Sequence, residues 1–301
     1  MSGSLDGPIL KLQRAWDHQN YLRHEIAGGT FLDSHPVASQ VDRAGREYRF
    51  YVGEIEEFNS DPWVVVFGDF LFNLRAALDQ LVYELHVRHF RGTVPEDAEK
   101  DSQFPILDSA PSRVFEQHRF IRRLSKRHKA ILKELQPYLT TESTEDRGLI
   151  AVRSALSTLN RLNIIDKHRR LHIARRAPFA YPAVEAFPPD CGFRSTISFD
   201  PLKSHAQVEV WAFDNYVPEN VTEEVEMHDH FISDVFILDG GTSETVEWLF
   251  ASLHLSVYGI IDKFREDFPV APTPRVVPIR VFPTGAGSSL AHLVPPSDAT
   301  P

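Results

Sequence analysis

A single cysteine, Cys191, in 301 residues leaves no intramolecular disulfide and no cysteine-based zinc site to form. Long apolar runs are missing as well. The most apolar stretch, PWVVVFGDFLF at residues 62–72, is too short to span a bilayer and carries Asp69 inside it. The opening MSGSLDGPILKLQRAWDHQN contains no uninterrupted apolar core of a signal peptide. The expectation is a soluble, cytoplasmic protein with no membrane partner. Positive charge is not in excess: 32 Lys and Arg face 42 Asp and Glu, a net charge of −10, which argues against a general coat for DNA. No glycine-rich phosphate loop and no Gly-x-Ser-x-Gly elbow occurs. HDH at 228–230 puts two histidines on one face of a strand, an incomplete metal set, so no metal and no cofactor is expected.

What remains is the composition of an ordinary globular chain, 42% hydrophobic and 25% charged. Apolar periodicity predicts five helices. The first covers 8–26, with Pro8 suited to a first turn. The second covers 62–89, where Phe67, Leu71, Leu74, Leu78, Leu81 and Leu85 alternate steps of four and three. Two more cover 112–135 and 146–171. The fifth follows DGGTS, with Thr242 or Ser243 as its cap, and ends before Pro269. Alternating stretches at 46–57, 193–199, 207–213 and 221–238 read as antiparallel strands. The predicted fold is therefore α+β: a four- to five-helix bundle over 1–270, with an antiparallel β-subdomain inserted at about 172–240. Residues 271–301 form a Pro-rich tail.

LNRLNIIDKHRRL, residues 159–171, places polar and ionisable groups among core aliphatics. Arg161, Ile165 and His168 fall on one helical face, with Asn163, Lys167 and Arg170 on an adjacent stripe. A guanidinium and an imidazole two turns apart suit a phosphodiester, the first neutralising charge and the second moving a proton. On the second helix Asp69 and Asn73 share a stripe, and Arg75 can pair with Asp79. The third predicted helix holds RFIRRLSKRHK, a basic run with no acid in it. The acids are then expected elsewhere, in PEDAEKD and TEEVE, leaving a basic face for RNA or an acidic protein partner. Each feature has a plainer meaning: a solvated helix face, or a polar network that only holds helices together.

GDFLFNLRAALDQL (68–81), FPI (104–106), QPY (136–138) and LNIIDKHRRL (162–171) together resemble a family of uncharacterised bacterial proteins frequent in actinobacteria. In that family a G-D-F-L-x-N-L-R-x-A-L-D-H-L helix precedes a D-K-H-R helix. The likeness spans about 63–171 and implies no established activity; Gln80 stands here where the pattern has His. Arg161 and His168, with six residues between them, also resemble the signature of the HEPN superfamily of helical-bundle ribonucleases. Leu162 follows the Arg, where that superfamily often has a polar residue, and the β-insertion is unlike its minimal bundle. The resemblance implies metal-independent RNA cleavage by the ribose 2′-hydroxyl, usually in a homodimer cleft. His168 would be the acid–base group and Arg161 would stabilise the phosphorane. Asp69, Asn73, Arg75, Asn163, Lys167 and Arg170 are the candidate binding residues. The alternatives are a non-catalytic interaction protein, or a small-molecule binder with Asp69 and Asn73 in its pocket.

Overall fold

The computed structural model describes residues 3–28, 34–54, 60–141, 146–168, 171–176, 192–197, 203–217, 230–232, 234–239 and 242–268. The predicted tail, Cys191 and the first two residues of HDH lie outside them.

Among the described residues four long helices carry the core: α1 (Asp6–Gly28), α2 (Asp61–His89), α5 (Arg147–His168) and α6 (Val246–Asp262). Two shorter ones lie between, α3 (Glu96–Lys100) and α4 (Lys126–Glu134). The long four alternate in direction. Gly7 meets Gln80 and Gly68 meets Asp166, so α2 runs opposite to α1 and α5. Trp16 stacks edge-on against His254, and Arg23 bonds Glu247 at 3.0 Å, so α6 also opposes α1. The predicted seam of α2 sits where its spacing requires: Phe67, Leu71, Leu74, Leu78, Leu81 and Leu85 are all fully buried. Each such side chain contributes roughly 1.5–3 kcal/mol of burial free energy.

Among the described residues eight strands form two antiparallel sheets: β1 (Ser34–Asp42), β2 (Glu47–Val52), β3 (His172–Arg176), β4 (Phe193–Ile197), β5 (Gln207–Phe213), β6 (His230–Ile232), β7 (Asp234–Asp239) and β8 (Thr242–Thr245). The larger runs in the order β4-β5-β2-β1-β6, the smaller β3-β7-β8. Tyr48, Phe50 and Trp211 cluster on the larger sheet, Phe50 and Trp211 with centroids 4.5 Å apart. Beneath them Glu209 is buried and accepts from Ser195 Oγ at 2.5 Å and Trp211 Nε1 at 2.6 Å. Ile173 and Ile237 of the smaller sheet join the helical core, tying that sheet to the bundle.

The α+β class is as predicted, and three details differ. The larger sheet is not confined to 172–240, because β1 and β2 come from the connection between α1 and α2. The helix expected over 112–135 is broken. Phe115–Gln117 make a 3-10 turn, and Ser125 adopts an extended conformation and caps α4 by accepting from His128 N at 3.1 Å. Thr242 and Ser243 do not cap the last helix either. They pair in β8, and Thr245 is the cap, accepting from Trp248 N at 3.1 Å.

Candidate functional site

Helix α5 starts where Asp146 accepts from Leu149 N at 3.0 Å. Ala155, Leu156, Leu159 and Leu162 then turn inward. At 100° per residue, Ser157, Arg161, Ile164 and His168 fall on the opposite side. There they line an open groove of about 620 Å³ with Asn160, Ile165 and Asp108. His168 is exposed, Arg161 half-buried, and Ile164 50% exposed in mid-groove. The Asp108 carboxylate accepts from Ser157 Oγ at 2.5 Å and from Asn160 Nδ2 at 3.4 Å, which fixes the groove's acidic end. Arg161 and His168 thus share one solvent-reachable surface, about 10 Å apart along the axis at 1.5 Å per residue. Lys167 is exposed beside them, whereas Asn163 is buried against the bundle. Arg170 lies outside the described residues.

The candidate residues of α2 are not in this groove. Asn73 is buried, and its Nδ2 donates to the Asp69 carbonyl of its own helix at 2.8 Å. Arg75 donates to the Phe104 carbonyl at 2.7 Å and lies 3.1 Å from Asp79. Asp79 in turn accepts from Phe104 N at 2.9 Å. The Arg and Asp one turn apart therefore grip both backbone groups of one residue, whose ring is fully buried. Gln136 does the same for the next stretch. Its Nε2 donates to Pro105 O and Leu132 O, and its Oε1 accepts from Leu107 N at 3.1 Å. Arg153 completes the set by donating to Glu134 O and Leu139 O, both at 2.9 Å. Arg75 and Asp79 of GDFLFNLRAALDQL and Gln136 of QPY in this way clamp the backbone of FPI and of Leu107 just after it.

One junction between α2 and α5 is chemically distinct. A Cβ on Gly68 would lie 2.6 Å from Asp166 Oδ1, so the missing side chain lets that carboxylate sit directly against α2. Desolvation, with the negative charge of Asp69 second, raises the Asp166 pKa above the ordinary value. Burial also lowers the pKa of His18 on α1, and the field of Asp69 partly opposes this.

Half of the basic run is matched by acids from within the chain. Arg123 pairs with Asp97, Arg122 lies 3.8 Å from Asp101, and Arg127 pairs with Asp267. PEDAEKD, expected to lie apart, supplies two of those acids. His128 is buried 3.4 Å from Asp267 and its pKa is lowered, chiefly by desolvation.

Compared with protein-family models, with curated proteins and with solved structures, the chain matches none. Among the described residues no group of three or more His, Cys, Asp or Glu is arranged to hold a metal ion. Among them, too, no helix is long and apolar enough to cross a membrane. Reading the sequence missed Asp108, Ser157 and Gly68. The first two lie 49 residues apart in the chain, and no local pattern joins them.

Proposed function

We propose that the chain binds RNA along the outer face of α5 and cleaves it without a metal, in the manner of the HEPN ribonucleases that it resembles. The observation that carries this reading is the opening of Arg161 and His168 onto one groove. Neutral His168 takes the proton of a ribose 2′-hydroxyl as that oxygen attacks phosphorus. The bond from phosphorus to the 5′-oxygen breaks, and the imidazolium returns the proton to the leaving oxygen. The products are a 2′,3′-cyclic phosphate and a 5′-hydroxyl. Arg161 neutralises the added charge of the phosphorane, and Lys167 attracts the flanking backbone.

The test is incubation of purified protein with mixed RNA in EDTA. Cleavage is expected from the wild type and is expected to vanish in both His168→Ala and Arg161→Ala, because the two groups serve one transition state. Melting temperatures are expected to stay put, since neither side chain belongs to the core. Wild-type protein that leaves RNA intact, combined with a destabilised His168→Ala, overturns the proposal.

A second reading is favoured by the bonding of Asn73, Arg75, Asp79 and Gln136 to backbone. It makes the chain a non-catalytic interaction protein whose groove seats a partner on Ile164. Ile164→Asp then abolishes partner binding in a protein that neither binds nor cuts RNA.

A further inference from the structure

We infer that the α5 groove selects guanine, as the base of the nucleotide whose 2′-hydroxyl attacks, and that Asp108 is the residue that reads it. The inference rests on the RNA reading of the same groove. Asp108 is exposed and lines one end of the groove. Ser157 Oγ donates to its Oδ1 at 2.5 Å and Asn160 Nδ2 to its Oδ2 at 3.4 Å, one bond to each oxygen. A carboxylate accepts hydrogen bonds and does not donate them, and each of its oxygens can take two. Held by α5 through one bond per oxygen, the group keeps one further acceptor site on each, a parallel pair.

Of the four bases, guanine alone presents two adjacent donors, N1–H and the 2-amino group, on its Watson–Crick edge. They match the pair on Asp108 bidentately, as a guanidinium would. Adenine and cytosine set a ring-nitrogen acceptor beside their amino group, and uracil flanks its one N–H with carbonyls. Each of these turns a lone pair on the carboxylate. The rest of the groove tells guanine from the guanidinium of a peptide. Arg161, Lys167 and His168 follow along α5, His168 about 12 Å beyond Asn160 at 1.5 Å per residue. An acceptor followed by basic groups is complementary to a nucleotide, in which neutral donors precede a phosphate. The same order repels a peptide that carries arginine. Ile164, exposed in mid-groove, offers the flat ring an apolar floor, and about 620 Å³ is room for a nucleotide. With the base on Asp108, its 3′-phosphate falls towards Arg161 and His168, so the cut follows guanosine.

The probe is a fluorescein-labelled oligouridylate with one central guanosine, every 2′-hydroxyl methylated so that it cannot be cut. Its binding to the full chain is read by fluorescence anisotropy. Replacing the guanosine by adenosine, cytidine or uridine is expected to weaken binding about tenfold. Inosine, which lacks only the 2-amino group, is expected to weaken it less. Asp108→Asn is expected to erase the preference and leave the binding common to all probes, because the amide puts a donor where guanine needs an acceptor. Ser157→Ala loosens the carboxylate without removing it and is expected to lose part of the preference. Equal binding of all probes, a preference for another base, or a guanine preference that survives Asp108→Asn overturns the inference. Unmethylated probes in EDTA separate it from the reading beneath it. Guanosine-selective binding with no cut leaves the inference standing and ends the ribonuclease, whereas cutting without regard to base does the reverse. Binding of no probe at all overturns both. 3′-GMP offers Lys167 no flanking backbone and is expected to displace the probe only at much higher concentration. Displacement at equal concentration would give the groove to a free nucleotide and overturn RNA as its occupant.

Discussion

Gln136 illustrates how one buried amide links scaffold to site. It is fully buried, and its three hydrogen bonds hold the backbone of residues 105, 107 and 132. The next residue after Leu107 is Asp108, the acidic end of the α5 groove. Gln136→Leu preserves much of the volume and orphans two carbonyls and an amide, each worth roughly 1–3 kcal/mol if left unsatisfied. Urea unfolding is expected to show a loss of at least about 2 kcal/mol, with weaker ligand binding in the groove as Asp108 loses its anchor. An unchanged unfolding midpoint would mean that water replaces the amide without cost. At this scale the sequence was legible in part. The spacing of Arg161 and His168 on a helix was enough to put them on one face. Arg75 and Asp79 were legible as a pair, but their shared target, the Phe104 backbone, lies 25 residues or more away and has no side-chain signature.

Among the elements, periodicity found α2 because its seam is long and continuous and nothing polar interrupts it. The same rule overreached at 112–135, where apolar spacing continues through Ser125 but the chain does not. Ser125 offers its hydroxyl to a backbone amide, and that local bond competes with helix continuation. The last helix shows a similar competition. DGGTSET has three hydroxyl residues able to cap, but cross-strand pairing with β7 runs from Thr242 to Thr245, and the helix begins where that ladder ends, so its last residue, Thr245, is the cap. Thr245→Ala is expected to cost about 1 kcal/mol in thermal or chemical unfolding, and Thr242→Ala much less than that. Equal losses from the two would return the cap to the earlier position. The strands of the α1–α2 connection were only half legible. Alternation marked 46–57, but Ser34–Asp42 has no such alternation and is a strand because β2 and β6 flank it.

For the whole molecule, two histidines set a pH dependence. His86 and His254 are buried, and burial lowers both pKa values to about 4. His86 Nδ1 is 2.9 Å from Ser102 Oγ, whose hydrogen is directed to the Ala98 carbonyl, so the imidazole supplies the proton of that bond. In the unfolded chain both rings take up a proton near pH 6.5, while in the folded chain they do so only near 4. Stability is thus fully present above about pH 6.5, falls as the pH drops towards 4, and levels off below. Each ring contributes a decline on the order of 3 kcal/mol. Unfolding midpoints measured from pH 7.5 to 4 are expected to fall less steeply in His254→Phe than in the wild type. Parallel curves for the two proteins would mean that His254 is already protonated in the folded state, or never titrates.

The arrangement of the larger sheet bears on how the chain is made. A ribosome delivers β1 and β2 early, as a hairpin with an unpaired edge on either side. β5, which covers one edge, begins 160 residues after β2 does. At about 5–20 residues per second that is an interval on the order of ten to thirty seconds. β6, which covers the other edge, emerges later still. Throughout that interval the hairpin offers open backbone to any neighbouring nascent chain. Synthesis stalled anywhere between α2 and β5 therefore releases a fragment with a formed helical hairpin and a sheet nucleus able to recruit strands from other molecules.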